Sequence, residues 1–240
     1  TVNRFCRSLE TRGFPDFKLH LAQSLAHGTL YVNRNVDEDD SVESYTGKIF
    51  ESAMASLDQV HHSLDMSAVN RAVDLLTQAK KIAFFGLGSS AAVAHDAMNK
   101  FFRFNVPVIY SDDIVLQRMS CMNCDDDDVV VIISHTGRTK SLVELAQLAR
   151  ENDAMVIALT SAGTPLAREA TLAITLDVPE DTDIYMPMVS RLAQLTVIDV
   201  LATGFTLRRG AKFRDNLKRV KEALKESRFD KEPFVPSDNQ

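Results

Sequence analysis

The chain is short of the features that would place it outside the ordinary globular class. Its 240 residues hold nine glycines, seven prolines and three cysteines, too few for a low-complexity, collagen-like or disulfide-scaffold sequence. No apolar stretch approaches the ~20 residues of a membrane-spanning helix, and no basic-then-apolar leader is legible; no membrane partner is expected, and the expected location is the cytoplasm. Charge of neither sign dominates. The net charge of −6 excludes a surface that coats nucleic acid along its whole length, but not a small basic DNA-binding element.

The cysteines are Cys6, Cys121 and Cys124. An odd count without framework spacing fits a reducing compartment. Cys121 and Cys124 form a CxxC, the spacing of a redox pair or half a metal site. No second CxxC or HxxxH accompanies it and an aspartate run follows at once, so ordinary loop cysteines are expected, with no metal and no cofactor. What is present is a hydrophobic content of 45%, enough for one or two domains with a true core.

Three regions separate by pattern. In residues 1–27, Val2, Phe5, Cys6 and Leu9, then Phe17, Leu21, Ala22 and Leu25, recur at helical spacing on either side of the breaker Arg12-Gly13-Phe14-Pro15. This reads as part of a helix–turn–helix, with four Lys/Arg against two Asp/Glu. Thr1 is not an initiator methionine and the helical pattern is already under way at Val2, so the chain is expected to be the later part of a longer protein. Residues 28–41, with Gly28 and the acidic run Asp37-Glu38-Asp39-Asp40, read as a linker.

From 42 to 79 the period is helical again. Ile49, Ala53, Met54, Leu57 and Val60 mark one helix, and Val69, Ala72, Val73 and Leu76 a second, capped by Asp65 or Ser67. Short apolar runs at 82–87, 106–110, 129–133, 155–159 and 172–176 then alternate with helices near 89–103, 113–119, 138–151 and 164–169. Continuous apolar strands with helical crossovers imply an α/β fold with a doubly wound parallel sheet, covered on both faces. A long apolar helix at 188–207, a basic one at 211–228 and a tail at 230–240 complete the domain of residues 42–229.

Two loops carry the chemistry. The first strand runs into Gly86-Leu87-Gly88-Ser89-Ser90-Ala91-Ala92, where glycines permit a tight turn and the following helix offers N–H groups to an anion. GxG after a strand also suggests a dinucleotide fold, with Asp112 or Asp113 as the ribose partner, but Ala91 stands where the third glycine belongs. The third strand runs into Ser134-His135-Thr136-Gly137-Arg138-Thr139-Lys140-Ser141. One hydroxyl would suffice to cap a helix; four, with a glycine and two cations, suit a metal-free phosphate site. In a sheet of order 2-1-3-4-5 the first and third strands flank the switch point, which brings Ser90 and Ser134 to opposite lips of one crevice.

The string SHTGRTKSLVELAQLA resembles the S-x-[ST]-G-x-T signature of SIS (sugar isomerase) domains, and GLGSSAAVA resembles their first loop. TSAGTPLAREA and SRLAQLTVIDVL extend the likeness, which covers roughly residues 80–207, to RpiR-type bacterial regulators. TVNRFCRSL and GFPDFKLHLAQSLA resemble the end of that family's helix–turn–helix domain, including its recognition helix. The resemblance implies a transcriptional regulator of hexose catabolism (the Entner–Doudoroff pathway), with 2-keto-3-deoxy-6-phosphogluconate as the sugar acid it senses. Carried over residue by residue, it implies Ser90, Ser134, Thr136 and Thr139 as phosphate ligands, aided by Ser89 and the backbone of Gly137 and Arg138. His135 would touch the sugar or cap the turn, and Thr160 and Ser161 rank second. Thr1, Asn3, Arg4 and Arg7 would face operator DNA, with Lys18 on a phosphate. Because earlier helices of that domain precede these residues in the family, this chain alone is expected to bind operator poorly. A homodimer or higher oligomer is expected, since palindromic sites are read symmetrically.

SIS folds also serve aldose–ketose isomerases, which need a general base. Glu144 is expected on a solvated helix face. His95 reads as a packing histidine or a pocket contributor. Asp181 and Asp183, as carboxylates, would repel a phosphate. A sensor without catalytic residues is therefore the expectation, and an isomerase the alternative. The 125–128 aspartate run is expected to be a solvated turn.

Overall fold

The computed structural model describes residues 35–180 and 186–225. Five strands form one parallel sheet: β1 (Lys81–Gly86), β2 (Val108–Ser111), β3 (Asp128–Ser134), β4 (Met155–Thr160) and β5 (Leu172–Thr175). Their spatial order is β2-β1-β3-β4-β5, the doubly wound order expected from the alternation of apolar runs and helices. β3 is buried at all seven positions, as a central strand covered on both faces must be.

The period-2 alternation of side chains feeds two separate cores. Ile82, Phe84, Val129, Val131, Ile133, Ile157 and Leu159 face one layer of helices. This layer is built from α1 (Val42–Ser63), α2 (Met66–Gln78), α3 (Ser89–Phe101) and α7 (Val189–Lys225). Ala83, Phe85, Val130, Ile132, Val156 and Ala158 face the other layer. There lie α4 (Ile114–Met122), α5 (Lys140–Glu151) and the short α6 (Pro165–Glu169). Since α3 and α5 lie on opposite faces, the chain reverses its winding between β1 and β3.

Local chemistry sets the element ends. The Ser41 hydroxyl accepts the Ser44 N–H at 3.1 Å to cap α1, and Asp65 caps α2 through the Ser67 N–H at 2.8 Å. Lys48 of α1 bridges Asp37 and Asp40, just before the helix, at 3.1 and 2.7 Å. The Lys48 hydrogen bond, with others from Ser44 and Asp37, lowers the Asp40 carboxyl to about 2. β2 begins two residues later than its apolar run, at Val108, because Pro107 has no N–H to add to a ladder; its carbonyl still accepts Ile82 N–H at 3.0 Å.

The helix expected from Ile49, Ala53, Met54, Leu57 and Val60 forms as α1, but its apolar stripe is largely uncovered: Ile49 and Met54 are exposed, as are Phe50 and Val42, and only Val60 and Ser56 are buried. Only the C-terminal part of this 22-residue helix meets the core, through Leu57 and Val60. The expected pair of terminal helices is present: the stretch labelled α7 consists of two helices that meet at Gly210, which leaves helical geometry at φ 76° and ψ −164°. Either side of the kink, Phe205 and Phe213 close an aromatic cluster with Phe101 and Phe104.

Candidate functional site

At the carboxyl end of the sheet, Gly86 of β1 pairs in register with Ile133 of β3, and Ser134 pairs with Thr160 of β4. The two hydroxyl-rich loops therefore leave the sheet side by side. Gly86 allows α3 to start hard against its own strand: a Cβ there would lie 2.6 Å from the Ser90 carbonyl oxygen. Ser90 is buried and Ser89 half-buried in the first turn of α3.

The second loop is built around Gly137. Its φ of +56° is left-handed, and a Cβ would meet the Thr164 and Thr160 hydroxyls at 2.3 and 2.5 Å. The Gly137 N–H donates to the buried Ser134 hydroxyl at 3.2 Å, and its carbonyl accepts Leu166 N–H at 3.1 Å. The Thr136 hydroxyl accepts the Arg138 N–H at 3.4 Å. Thr139 is the N-cap residue of α5, yet its hydroxyl makes no cap hydrogen bond. Arg138 and Lys140 are exposed beside it. A serine whose oxygen already accepts an N–H keeps its own O–H to donate to an anion.

One contrast distinguishes this end of the sheet. α1, α2, α4 and α6 each begin with a side-chain cap, from Ser41, Asp65, Asp113 and Thr164. α3 and α5, whose first turns follow the two loops, begin without one. The positive dipole ends of both helices thus lie at the switch point; in α3 the Ser90 and Ala91 N–H groups donate to the Leu87 and Gly88 carbonyls at 3.2 and 3.1 Å, with no side chain involved.

Other sequence candidates lie elsewhere or do other work. Thr160 and Ser161 buttress the loop. The Ser161 hydroxyl and N–H donate to the His135 carbonyl at 2.8 and 3.0 Å, and Thr160 Oγ1 lies 3.3 Å from Thr164 Oγ1. Asp113 spends its carboxylate on the Leu116 N–H at 2.9 Å, capping α4. Glu144 is exposed and paired with Arg118 at 3.2 Å. His95 is exposed on α3, its ring 4.9 Å from that of Tyr110. Cys121 is not a loop cysteine: α4 runs on to Met122 and buries it, and burial pushes its thiol up to about 12. Asp128 is buried and paired with Lys81 at 2.5 Å, so the aspartate run is only partly solvated. Asp181 and Asp183, and the expected DNA contacts Thr1, Asn3, Arg4, Arg7 and Lys18, lie outside the described residues.

Two residues gave no sequence signal. Gln117 on α4 is fully buried and donates to the carbonyls of Ser111 at 2.7 Å and Gly86 at 3.3 Å, fixing the ends of β2 and β1. Glu180 lies beyond β5. Its carboxylate accepts the N–H groups of Met188, Val189 and Ser190 at 2.7, 2.8 and 3.0 Å, together with the Ser190 hydroxyl. Burial works to raise its pKa, but these hydrogen bonds outweigh it and hold the carboxyl below its ordinary 4.5. Its carbonyl lies 3.3 Å from His135 Nε2.

Comparison with known proteins fits this arrangement. The SIS domain family model matches residues 75–204, and that of the helix-turn-helix domain, rpiR family, matches residues 1–28. The HTH-type transcriptional regulator HexR of Escherichia coli (strain K12) is 91% identical over 240 residues, 100% of this chain and 83% of that protein. The chain belongs to the HexR group of RpiR-type transcriptional regulators. HexR of Pseudomonas aeruginosa is 57% identical over 229 residues, 95% of this chain and 80% of that one. Among solved structures, the Vibrio vulnificus NanR protein complexed with ManNAc-6P shares the fold at a TM-score of 0.70 and 23% identity, over 95% of this chain and 81% of that chain. Membership in the HexR group makes the chain a regulator and not an isomerase, and no helix among the described residues is long and apolar enough to cross a membrane.

Proposed function

We propose that the crevice between the β1 and β3 loops binds the phosphate of a phosphorylated sugar acid, and that occupancy modulates operator binding by the helix–turn–helix region. The observation that carries this reading is the pair of helix starts without a side-chain cap, α3 and α5, at the same end of the sheet with five hydroxyl side chains. Ser89, Ser90, Ser134, Thr136 and Thr139 supply O–H donors, Gly137 and Arg138 supply backbone and charge, and His135 faces the sugar. A dianion here gains from two helix dipoles and several charge-assisted hydrogen bonds, with no need of a metal.

The sugar acid is 2-keto-3-deoxy-6-phosphogluconate, a reading supported by the family resemblance, which also supports a role in the Entner–Doudoroff pathway and a cytoplasmic location. NanR, which shares the fold, is complexed with a phosphorylated sugar. In this reading residues 1–27 belong to the DNA-reading domain, with Thr1, Asn3, Arg4, Arg7 and Lys18 at the operator. Residues 28–41 link it to the sensor of residues 42–229, and 230–240 form a tail. The regulator works as a homodimer or higher oligomer. Ligand shifts the population of protomer arrangements and releases DNA, an effect bounded by its differential affinity for the two arrangements. A gel shift with the full-length protein tests this: 2-keto-3-deoxy-6-phosphogluconate should release operator, and operator retained at saturating ligand would refute it.

A further inference from the structure

The phosphate loop is joined to the start of α7 through His135 and Glu180. His135, inside the loop, is held on one side by Ser161, which donates twice to its carbonyl. On the other side its Nε2 meets the Glu180 carbonyl at 3.3 Å. A carbonyl can only accept, so this contact places a proton on Nε2. The Glu180 side chain then gathers the N–H groups of Met188, just before α7, and of Val189 and Ser190, its first two residues, with the Ser190 hydroxyl. The same residue thus grips the loop with its main chain and the helix with its side chain.

α7 is built to carry a displacement. Ala193, Val197, Ile198, Leu201 and Phe205 on its inner face are all buried, and close-packed contacts transmit shifts instead of absorbing them. The helix packs against α2, α3 and α1, and α1 begins at Val42, directly after the segment leading from the N-terminal residues.

We infer that Glu180 is a positioning residue of the effector site, coupling occupancy of the 134–139 loop to the seat of α7 through His135. The inference rests on the reading of the crevice as a sugar-phosphate site. When a ligand orders the loop, His135 is fixed, the Glu180 main chain is fixed with it, and its carboxylate holds the α7 amides more tightly. The coupling is reciprocal: loosening the Glu180 clasp weakens the ligand.

Hydrogen exchange at the amides of 188–190, measured on the full-length protein with and without saturating inorganic phosphate or 2-keto-3-deoxy-6-phosphogluconate, tests it. In the wild type, ligand should slow these amides about fivefold or more, together with those of 135–139. Glu180→Ala should bind the sugar acid about tenfold more weakly by calorimetry and lose the ligand-dependent slowing, with Glu180→Gln intermediate because it keeps one acceptor. If ligand slows 135–139 but leaves 188–190 unchanged in the wild type, or Glu180→Ala binds as the wild type does, the Glu180 role is overturned and the site stands. If neither segment responds in the wild type, the site reading falls and the inference with it. The wild-type measurement decides even where Glu180→Ala fails to fold.

Discussion

The Ser134 hydroxyl accepts the Gly137 N–H at 3.2 Å, so the last residue of β3 holds the turn that follows it. Both groups are buried. Ser134→Ala removes the acceptor and leaves an N–H without its partner, which costs about 1–3 kcal/mol. Urea denaturation of the ligand-free protein should show a loss in that range. A midpoint unchanged from the wild type would mean that the turn does not depend on this bond.

Gly137→Ala should be worse. The left-handed φ of +56° strains any L side chain, and the new Cβ would press on two hydroxyls, those of Thr160 and Thr164. Strain and overpacking each cost about 1–3 kcal/mol. The turn should open to relieve them, so phosphate affinity and thermal stability should fall together. Full affinity in a folded Gly137→Ala protein would show that the observed turn is not the binding form.

The Glu180 clasp has a pH signature with a definite sign. The folded carboxyl lies below its ordinary 4.5, so its stabilisation is present above that value and is lost as pH falls through the folded pKa. The stability difference between wild type and Glu180→Gln should be steady from about pH 7 down to about pH 5 and shrink at more acid pH. A difference that grows on acidification would contradict the hydrogen-bond pattern.

Cys121 should resist alkylation in the native state. Its thiol is buried and pushed up to about 12, with Cys124 also raised, and only the thiolate reacts. Mass spectrometry after iodoacetamide treatment near pH 8 should find Cys121 unmodified until the protein is unfolded, a thousandfold or so below the rate of an ordinary thiol. Rapid native labelling would place Cys121 outside the core.

Much of the sheet was legible because buried parallel strands are short continuous apolar runs, and β3 and β4 fall within a residue of theirs. The strand order followed from alternation with helices. The glycine–hydroxyl loops were legible because anion chemistry demands particular residue types at strand ends. What escaped did so for physical reasons. Helical periodicity at Ile49 and Met54 reports an amphipathic helix, not what covers it, and here they remain exposed. The cysteine pair read as loop because the Asp113 cap and the full length of α4 were not anticipated. Glu180 caps a helix from eight to ten residues upstream, and no local motif announces a cap at that separation. Gln117 reaches two carbonyls across the fold, a contact that only tertiary structure creates.

The central claim is that the two loops form one phosphate cradle. Calorimetric titration of 2-keto-3-deoxy-6-phosphogluconate into wild type, Ser90→Ala, Ser134→Ala and the double variant tests it most directly. Each serine lost should weaken binding by about 1–3 kcal/mol, because its acceptor is charged, with inorganic phosphate showing the same order of affinities. Affinity unchanged in both folded single variants would contradict the account.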